Sequence, residues 1–306
     1  MPVDPQIAAV LKLLEGTPTM DTMSVTELRA SMPITPMDKR TPVGAVRDVQ
    51  IPAKGRTIGA RLYTPTKPRR TGLTVFFHGG GWVIGNLETH DAVCRDVCEA
   101  SGAAVLSVDY RLAPEHKFPA APDDCLQAVR WAAENARSLG ADGSRIVIAG
   151  DSAGATLAAV TALRLRDEGG PAVRAQVLIY PVADFHTPPT PSYLENANGY
   201  SLTRNAMIRF WNDYVKDEAE ALHPHAAPMR AASLANLPKA LVLTAEFDPL
   251  RDEGDRYAHR LLDAGVPVTL WRHEGLIHGF FRMSLASTRA KDAVTRTAEW
   301  IGEAMA

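Results

Sequence analysis

The sequence predicts an α/β fold, with a mostly parallel central sheet flanked by helices. Three observations carry that expectation. Six short apolar runs, at residues 73–77, 103–108, 145–148, 176–180, 240–244 and 268–271, are mostly separated by segments of helical periodicity. Strands that are apolar throughout, rather than alternately, suit a parallel sheet covered on both faces. The chain has 306 residues, 46% of them apolar, and a net charge of only −2. That is enough for a large core and excludes a disordered chain.

The chain opens with a helical module. Asp4 stands where it can cap a helix begun by Pro5, with Ile7, Val10, Leu11 and Leu14 at helical spacing. Ser24 and Glu27 form a capping box for a second helix carrying Leu28. A proline-rich stretch at 32–42 ends the module, so residues 1–45 are expected to form a separate N-terminal segment and 46–306 the main domain. Segments 46–51 and 57–64 read as a hairpin. Helices are expected at 125–136, 153–166, 252–264 and 290–305, the third stopped by Gly265. One interval breaks the alternation. Residues 182–222 begin rich in Pro and Asn and hold a helix near 206–215, which reads as a lid-like insertion rather than a plain connection.

Composition excludes several function classes. With 33 basic and 35 acidic residues the chain lacks the electrostatic footprint of a nucleic-acid or membrane-surface binder. No run approaches the roughly 20 apolar residues of a membrane helix. No basic-then-apolar leader is visible, so a cytoplasmic location is expected. Three cysteines, Cys94, Cys98 and Cys125, argue against a disulfide framework. Cys94 and Cys98 have the spacing of half a metal site, but no second pair accompanies them. Neither a metal nor an organic cofactor is expected.

The chemistry concentrates in a few stretches. The strand at 145–149 runs into Gly150-Asp151-Ser152-Ala153-Gly154 and then into a helix. Small residues two before and two after the serine let the turn close tightly and leave its hydroxyl at the C-terminal edge of the sheet. The Ala153 N–H, at a helix start, is aimed where a charged oxygen would form. His78-Gly79-Gly80-Gly81-Trp82 follows another apolar strand, and consecutive glycines there bare backbone N–H donors. Nucleotide readings fail. Gly85 falls one position too late for G-x-G-x-x-G, and Asn86-Leu87 follows it where a phosphate loop needs Lys-Ser/Thr.

An activated serine needs a base, and the base an orienting acid. Asp248 follows the next-to-last strand and His278 the last, which should put both at the sheet edge that holds Ser152. The competing histidines are placed less well. His273 lies in or at the end of a strand, His259 in mid-helix, and His223 and His225 flank Pro224 in the insertion. Asp252 and Asp255 fall in the first turns of a helix, where capping accounts for them.

With Asp109-Tyr110-Arg111-Leu112-Ala113-Pro114-Glu115, Asp248-Pro249-Leu250-Arg251-Asp252 and His278-Gly279-Phe280, these motifs resemble the hormone-sensitive-lipase-like branch (family IV) of bacterial carboxylesterases in the α/β-hydrolase superfamily. The resemblance covers nearly the whole chain. It implies an α/β-hydrolase fold with a helical cap, formed by residues 1–45 and the insertion at about 182–222, over a catalytic domain. It also implies carboxylic ester hydrolysis through an acyl-enzyme, with Ser152 as nucleophile, His278 as base and Asp248 as orienting acid. The N–H groups of Gly80, Gly81 and Ala153 would form the oxyanion hole, with Gly79 their less certain neighbour.

Trp82, Phe210 and Trp211 are candidates to line the substrate pocket. Apolar cap residues such as Leu14, Leu28, Met207, Phe210 and Trp211 would bound the acyl site and favour short to medium chains, roughly four to eight carbons. The expected partner is a small-molecule ester; monomer and homodimer both stay open. An amidase or peptidase, a lipase, and a non-catalytic receptor are the rival readings on this scaffold, and a receptor of that kind is expected to lack the histidine present here at 278. Two departures stand out. The family continues the serine turn with a glycine and an asparagine, where this chain has Ala155 and Thr156. Ala155 is expected to crowd the helix-to-sheet contact, Thr156 to change the polar group beneath the serine. The 109–115 segment is expected to tie a strand end to the glycine loop through Asp109 and Arg111.

Overall fold

A computed structural model describes residues 2–306. Two helices come first, α1 (Pro5–Leu14) and α2 (Val25–Ser31). Asp4 caps α1 by accepting from the N–H groups of Gln6 and Ile7, and Ser24 and Glu27 cap α2 reciprocally. The apolar face expected on α1 is only partly used: Ile7 is buried, but Leu14 is exposed. The helix is anchored to the body at its first turn, where the Asp4 N–H donates to the Gly275 carbonyl at 2.9 Å.

The body follows the expected alternation. It comprises β1 (Ala45–Ala53), β2 (Arg56–Thr64), β3 (Leu73–Phe77), α3 (Asp91–Ser101), β4 (Ala104–Asp109), α4 (Ala120–Asn135), β5 (Ile146–Asp151), α5 (Ala153–Asp167) and β6 (Ala175–Ile179). The insertion then supplies α6 (Pro191–Glu195), α7 (Arg204–Tyr214) and α8 (Glu218–Ala221). The chain closes with β7 (Lys239–Phe247), α9 (Arg251–Asp263), β8 (Val268–Ile277) and α10 (Thr288–Ala304).

All eight strands form one sheet in the order β1-β2-β4-β3-β5-β6-β7-β8. The β1–β2 hairpin joins antiparallel to β4, and every other pairing is parallel. Alternate residues of a strand face opposite sides. On β5, Ile146 and Ile148 join the core shared with α4, α5 and α9, while Val147 and Ala149 join the core shared with α3 and α10. Every position of β3, β5 and β6 is buried, which is why these strands read as mostly apolar runs.

Two boundaries differ from expectation by five residues or more. Strand β8 continues past residue 271 to Ile277, across a register irregularity opposite Ala245 and Phe247, so His278 directly follows the strand. Helix α4 begins at Ala120, ahead of Pro122, because a proline in the first turn gives up no intrahelical bond. Cys94 and Cys98 are buried in α3 and Cys125 in α4, all as free thiols, and burial pushes Cys98 up to about 12. Among the described residues no helix is long and apolar enough to cross a membrane.

Candidate active site

Ser152 sits between β5 and α5 with φ 55° and ψ −123°. Such a backbone costs a non-glycine residue about 1–3 kcal/mol and persists only when its surroundings enforce it. They do so here through backbone contacts. The Ser152 N–H donates to the Ile179 carbonyl at 2.8 Å. A Cβ at Gly154 would overlap the Phe77 carbonyl oxygen, and one at Gly150 would overlap the backbone of Gly154. Both flanking glycines are therefore required by space.

His278 approaches from the end of β8. Its Nε2 lies 2.9 Å from Ser152 Oγ and its Nδ1 2.8 Å from Asp248 Oδ2. Asp248 is fully buried, and its other oxygen accepts the Leu250 N–H at 2.8 Å. The Tyr180 ring packs against the imidazole, centroids 4.5 Å apart. The three residues picked from the sequence thus form one hydrogen-bonded line.

Across the sheet edge, Gly80 (φ 122°) and Gly81 (φ 57°) turn the loop after β3 in a conformation only glycine adopts easily. The Val83 and Ile84 N–H groups fold back onto the Gly80 carbonyl. The Gly79 N–H is occupied, donating to Asp151 Oδ1 at 2.9 Å, so it is not free to meet a substrate oxygen. No protein acceptor among the described residues lies on the Gly80 or Gly81 N–H. A profile of the alpha/beta hydrolase fold matches residues 74–282.

The chain belongs to the α/β-hydrolase family.

Its motifs place this hydrolase in the hormone-sensitive-lipase-like branch. It is 38% identical to an arylesterase of Saccharolobus solfataricus, over 96% of each chain. It is 41% identical to the esterase LipI of Mycobacterium tuberculosis, over 94% of this chain and 91% of the relative. In structure it is similar to a hyperthermophilic esterase from Pyrobaculum calidifontis, with a TM-score of 0.93, 42% identity and 99% of both chains covered.

The hydrolase's glycine loop rests on residues that its sequence motifs did not single out. Asp151 is buried beneath it and, besides Gly79, lies 3.3 Å from His90 Nε2 and 3.5 Å from the Tyr180 hydroxyl. The His90 contact is within ion-pair range but poorly aligned as a hydrogen bond. Burial works to raise the Asp151 carboxyl, yet His90 and Arg282 nearby hold it below the usual range. The tie between segment 109–115 and the loop was expected through Asp109 and Arg111. It runs instead through the Tyr110 hydroxyl, which donates to the His78 carbonyl at 2.7 Å, and the Ala113 N–H, which donates to the Trp82 carbonyl at 2.9 Å. Arg111 is drawn away to Asp124 (2.8 Å), because that buried carboxylate faces it from α4.

Phe210 lies directly over Gly81, where a Cβ would overlap its ring. Trp82 and Trp211, taken as pocket candidates alongside it, have no exposed surface. Trp82 stacks on Tyr214 with centroids 4.1 Å apart and lies 4.9 Å from Trp211. These rings seat α7 of the insertion on the glycine loop. Ala155 is fully buried in α5, and the Thr156 hydroxyl donates to the Val182 carbonyl at 2.7 Å, tying the turn's helix to the start of the insertion.

The competing groups are engaged elsewhere. His259 Nδ1 meets the Asp255 carbonyl within α9 at 2.7 Å, and burial lowers His273 to about 4. Asp252 and Asp255 do not cap α9 as expected, because their oxygens are taken by other elements and by Arg251. Asp255 accepts the Thr244 hydroxyl at 2.9 Å and pairs with Arg272, while Asp252 accepts the Ser192 N–H at 2.8 Å. Among the described residues no group of three His, Cys, Asp or Glu is arranged to hold a metal.

Proposed function

We propose that this hydrolase is a serine carboxylesterase that cleaves short- to medium-chain esters through an acyl-enzyme. The observation that carries the proposal is the line from Asp248 through His278 to Ser152, with bonds of 2.8 and 2.9 Å. In this reading His278 takes the Ser152 proton as Oγ attacks the ester carbonyl. Asp248 holds the imidazole with Nδ1 protonated and stabilises the imidazolium. The carbonyl oxygen, now charged, is met by the N–H groups of Gly80, Gly81 and Ala153, donors that need no reorganisation. The alcohol departs with the proton from His278, and water repeats the sequence to free the acid. The activities of the relatives, arylesterase and esterase, support ester rather than amide cleavage.

The N-terminal segment and the insertion act together as the cap. Arg209 on α7 donates to the carbonyls of Met20 (2.9 Å) and Met23, which supports a joint cover. Ser152 is only 7% exposed, which supports a covered acyl site in which each buried methylene contributes about 0.8 kcal/mol. Three buried free cysteines support a reducing, cytoplasmic setting. The test is hydrolysis of 4-nitrophenyl esters of increasing acyl length, with mass spectrometry after an organophosphonate. Activity should peak at about four to eight carbons and the adduct should map to Ser152. Full activity in Ser152→Ala, or an adduct on another peptide, would overturn the assignment.

A further inference from the structure

Helix α6, the first of the insertion, is joined to the loop that carries Asp248. Ser192 Oγ donates to the Pro249 carbonyl at 2.7 Å and accepts the Asp252 N–H at 3.2 Å. In return the Ser192 N–H donates to Asp252 Oδ2 at 2.8 Å, although the two residues are 60 positions apart. Just after the helix, Asn196 Nδ2 donates to the Asp248 carbonyl at 3.2 Å. Ser192 is 0% and Asn196 4% exposed. Outside this buried bracket Arg251 meets Glu195 at 2.7 Å, a pair whose exposed carboxylate leaves it little weight.

The bracket has a local cause. Helix α9 starts at Arg251, and its own N-cap, Leu250, has no side-chain oxygen to meet a first-turn N–H. Ser192 supplies that oxygen from a different element. The loop so gripped also sets the carboxylate. Asp248 Oδ1 is held by the Leu250 N–H, which leaves Oδ2 for His278. The carbonyls at 248 and 249 are the two that α6 and its end hold.

We infer that Ser192 and Asn196 are positioning residues for the acid of the relay: they fix loop 248–250 so that Asp248 Oδ2 meets His278 Nδ1. The inference rests on the serine mechanism proposed above. Neither side chain touches the reacting atoms. Their loss lets the loop relax, and displacements of about 1 Å near a catalytic group can cost on the order of 100-fold in rate.

The test compares Ser192→Ala and Asn196→Asp with the parent, the second near-isosteric and, as a carboxylate at alkaline assay pH, without a donor. Leu194→Ala, on the exposed side of the same helix (57% exposed), is the control. Three quantities are read: kcat and KM on an aryl ester, thermal midpoint, and the deshielded NMR resonance of the His278 Nδ1 proton shared with Asp248. Both variants should lose about 10-fold or more in kcat, keep KM within about two-fold, and shift or broaden that resonance while staying folded. Leu194→Ala should keep all three. Unchanged kcat and resonance in both folded variants overturn the inference. So does a fall in kcat with the resonance intact, which would place the helix's effect elsewhere. If Ser192→Ala does not fold, Asn196→Asp carries the test. Unfolding of both beside a folded Leu194→Ala would show a structural clamp and reject the positioning role. An inactive parent without a Ser152 adduct would instead sink the mechanism itself.

Discussion

Asp151 immediately precedes Ser152, and its carboxylate is committed to the Gly79 N–H at 2.9 Å in a buried setting. Asp151→Ala would leave that donor without a partner, at about 1–3 kcal/mol, and would free the glycine loop to move. We expect a lower urea midpoint together with a fall in kcat, both largely restored in Asp151→Asn, which keeps an acceptor. Equal activity in parent and alanine variant would show that the loop holds itself. The contrast with the relay explains what can be read from a sequence. Ser152, Asp248 and His278 each follow a strand, and a parallel sheet gathers strand ends at one edge, so local pattern and chain order suffice. The role of Asp151 depends on a contact 72 positions away, and that of Tyr110 on a carbonyl 32 positions away. No spacing rule signals either. Arg111, expected with Asp109 to make that tie, is claimed by the buried Asp124.

Among elements, the N-terminal segment is the one whose removal discriminates best. It is joined to α7 through Arg209 and to the segment after β8 through Arg282, which donates to the Pro33 carbonyl at 2.9 Å. Deleting residues 2–35 should flatten the acyl-length profile, while Ser152 still reacts with a small phosphonate. A folded truncation that keeps the parent profile would show these helices to be packing alone. Helix α5 offers a smaller test. Thr156→Val removes the buried bond to the Val182 carbonyl (2.7 Å) and should cost about 1 kcal/mol, read as a lower thermal midpoint with labelling of Ser152 unchanged. The two element boundaries that the sequence missed have separate origins, a proline inside the first turn of α4 and a polar edge strand. Residues 272–274 of β8 are polar because the strand lies at the sheet edge, and a polar edge does not read as an apolar run.

For the whole molecule, burial of titratable groups sets how stability responds to pH. Burial lowers His78 to about 3 and His273 to about 4, whereas in the unfolded chain both titrate near 6.5. Between those values the unfolded state binds more protons than the native one. Stability therefore falls as pH drops below about 6.5, by up to about 1.4 kcal/mol per pH unit per group, and the fall fades once the folded groups protonate too. Glu253 acts with the opposite sign. Burial holds its carboxyl well above the usual range, so above about 4.3 the unfolded chain releases a proton that the native state keeps, and stability falls as pH rises. Urea midpoints measured from pH 4 to 9 should pass through a maximum. A flat acid arm would mean that His78 and His273 reach solvent, and Glu253→Gln should flatten the arm on the other side.

The near-contact between Gly154 and the Phe77 carbonyl joins the serine turn to the end of the strand that feeds the glycine loop, backbone against backbone. On the serine mechanism proposed above, the attacking atom and the donors that face it are thus mortised together, and the cover rests on that joint through Phe210, Trp211 and Tyr214. The joint makes the protein a chassis: a cover can be exchanged to reach new esters as long as the aromatic seat of α7 on the glycine loop is kept. The bracket between α6 and the acid loop sets where the exchange begins. A transplanted cover should be spliced in after Asn196, because a cut closer to β6 would take away Ser192 and Asn196, which reach back to Asp248 and Pro249.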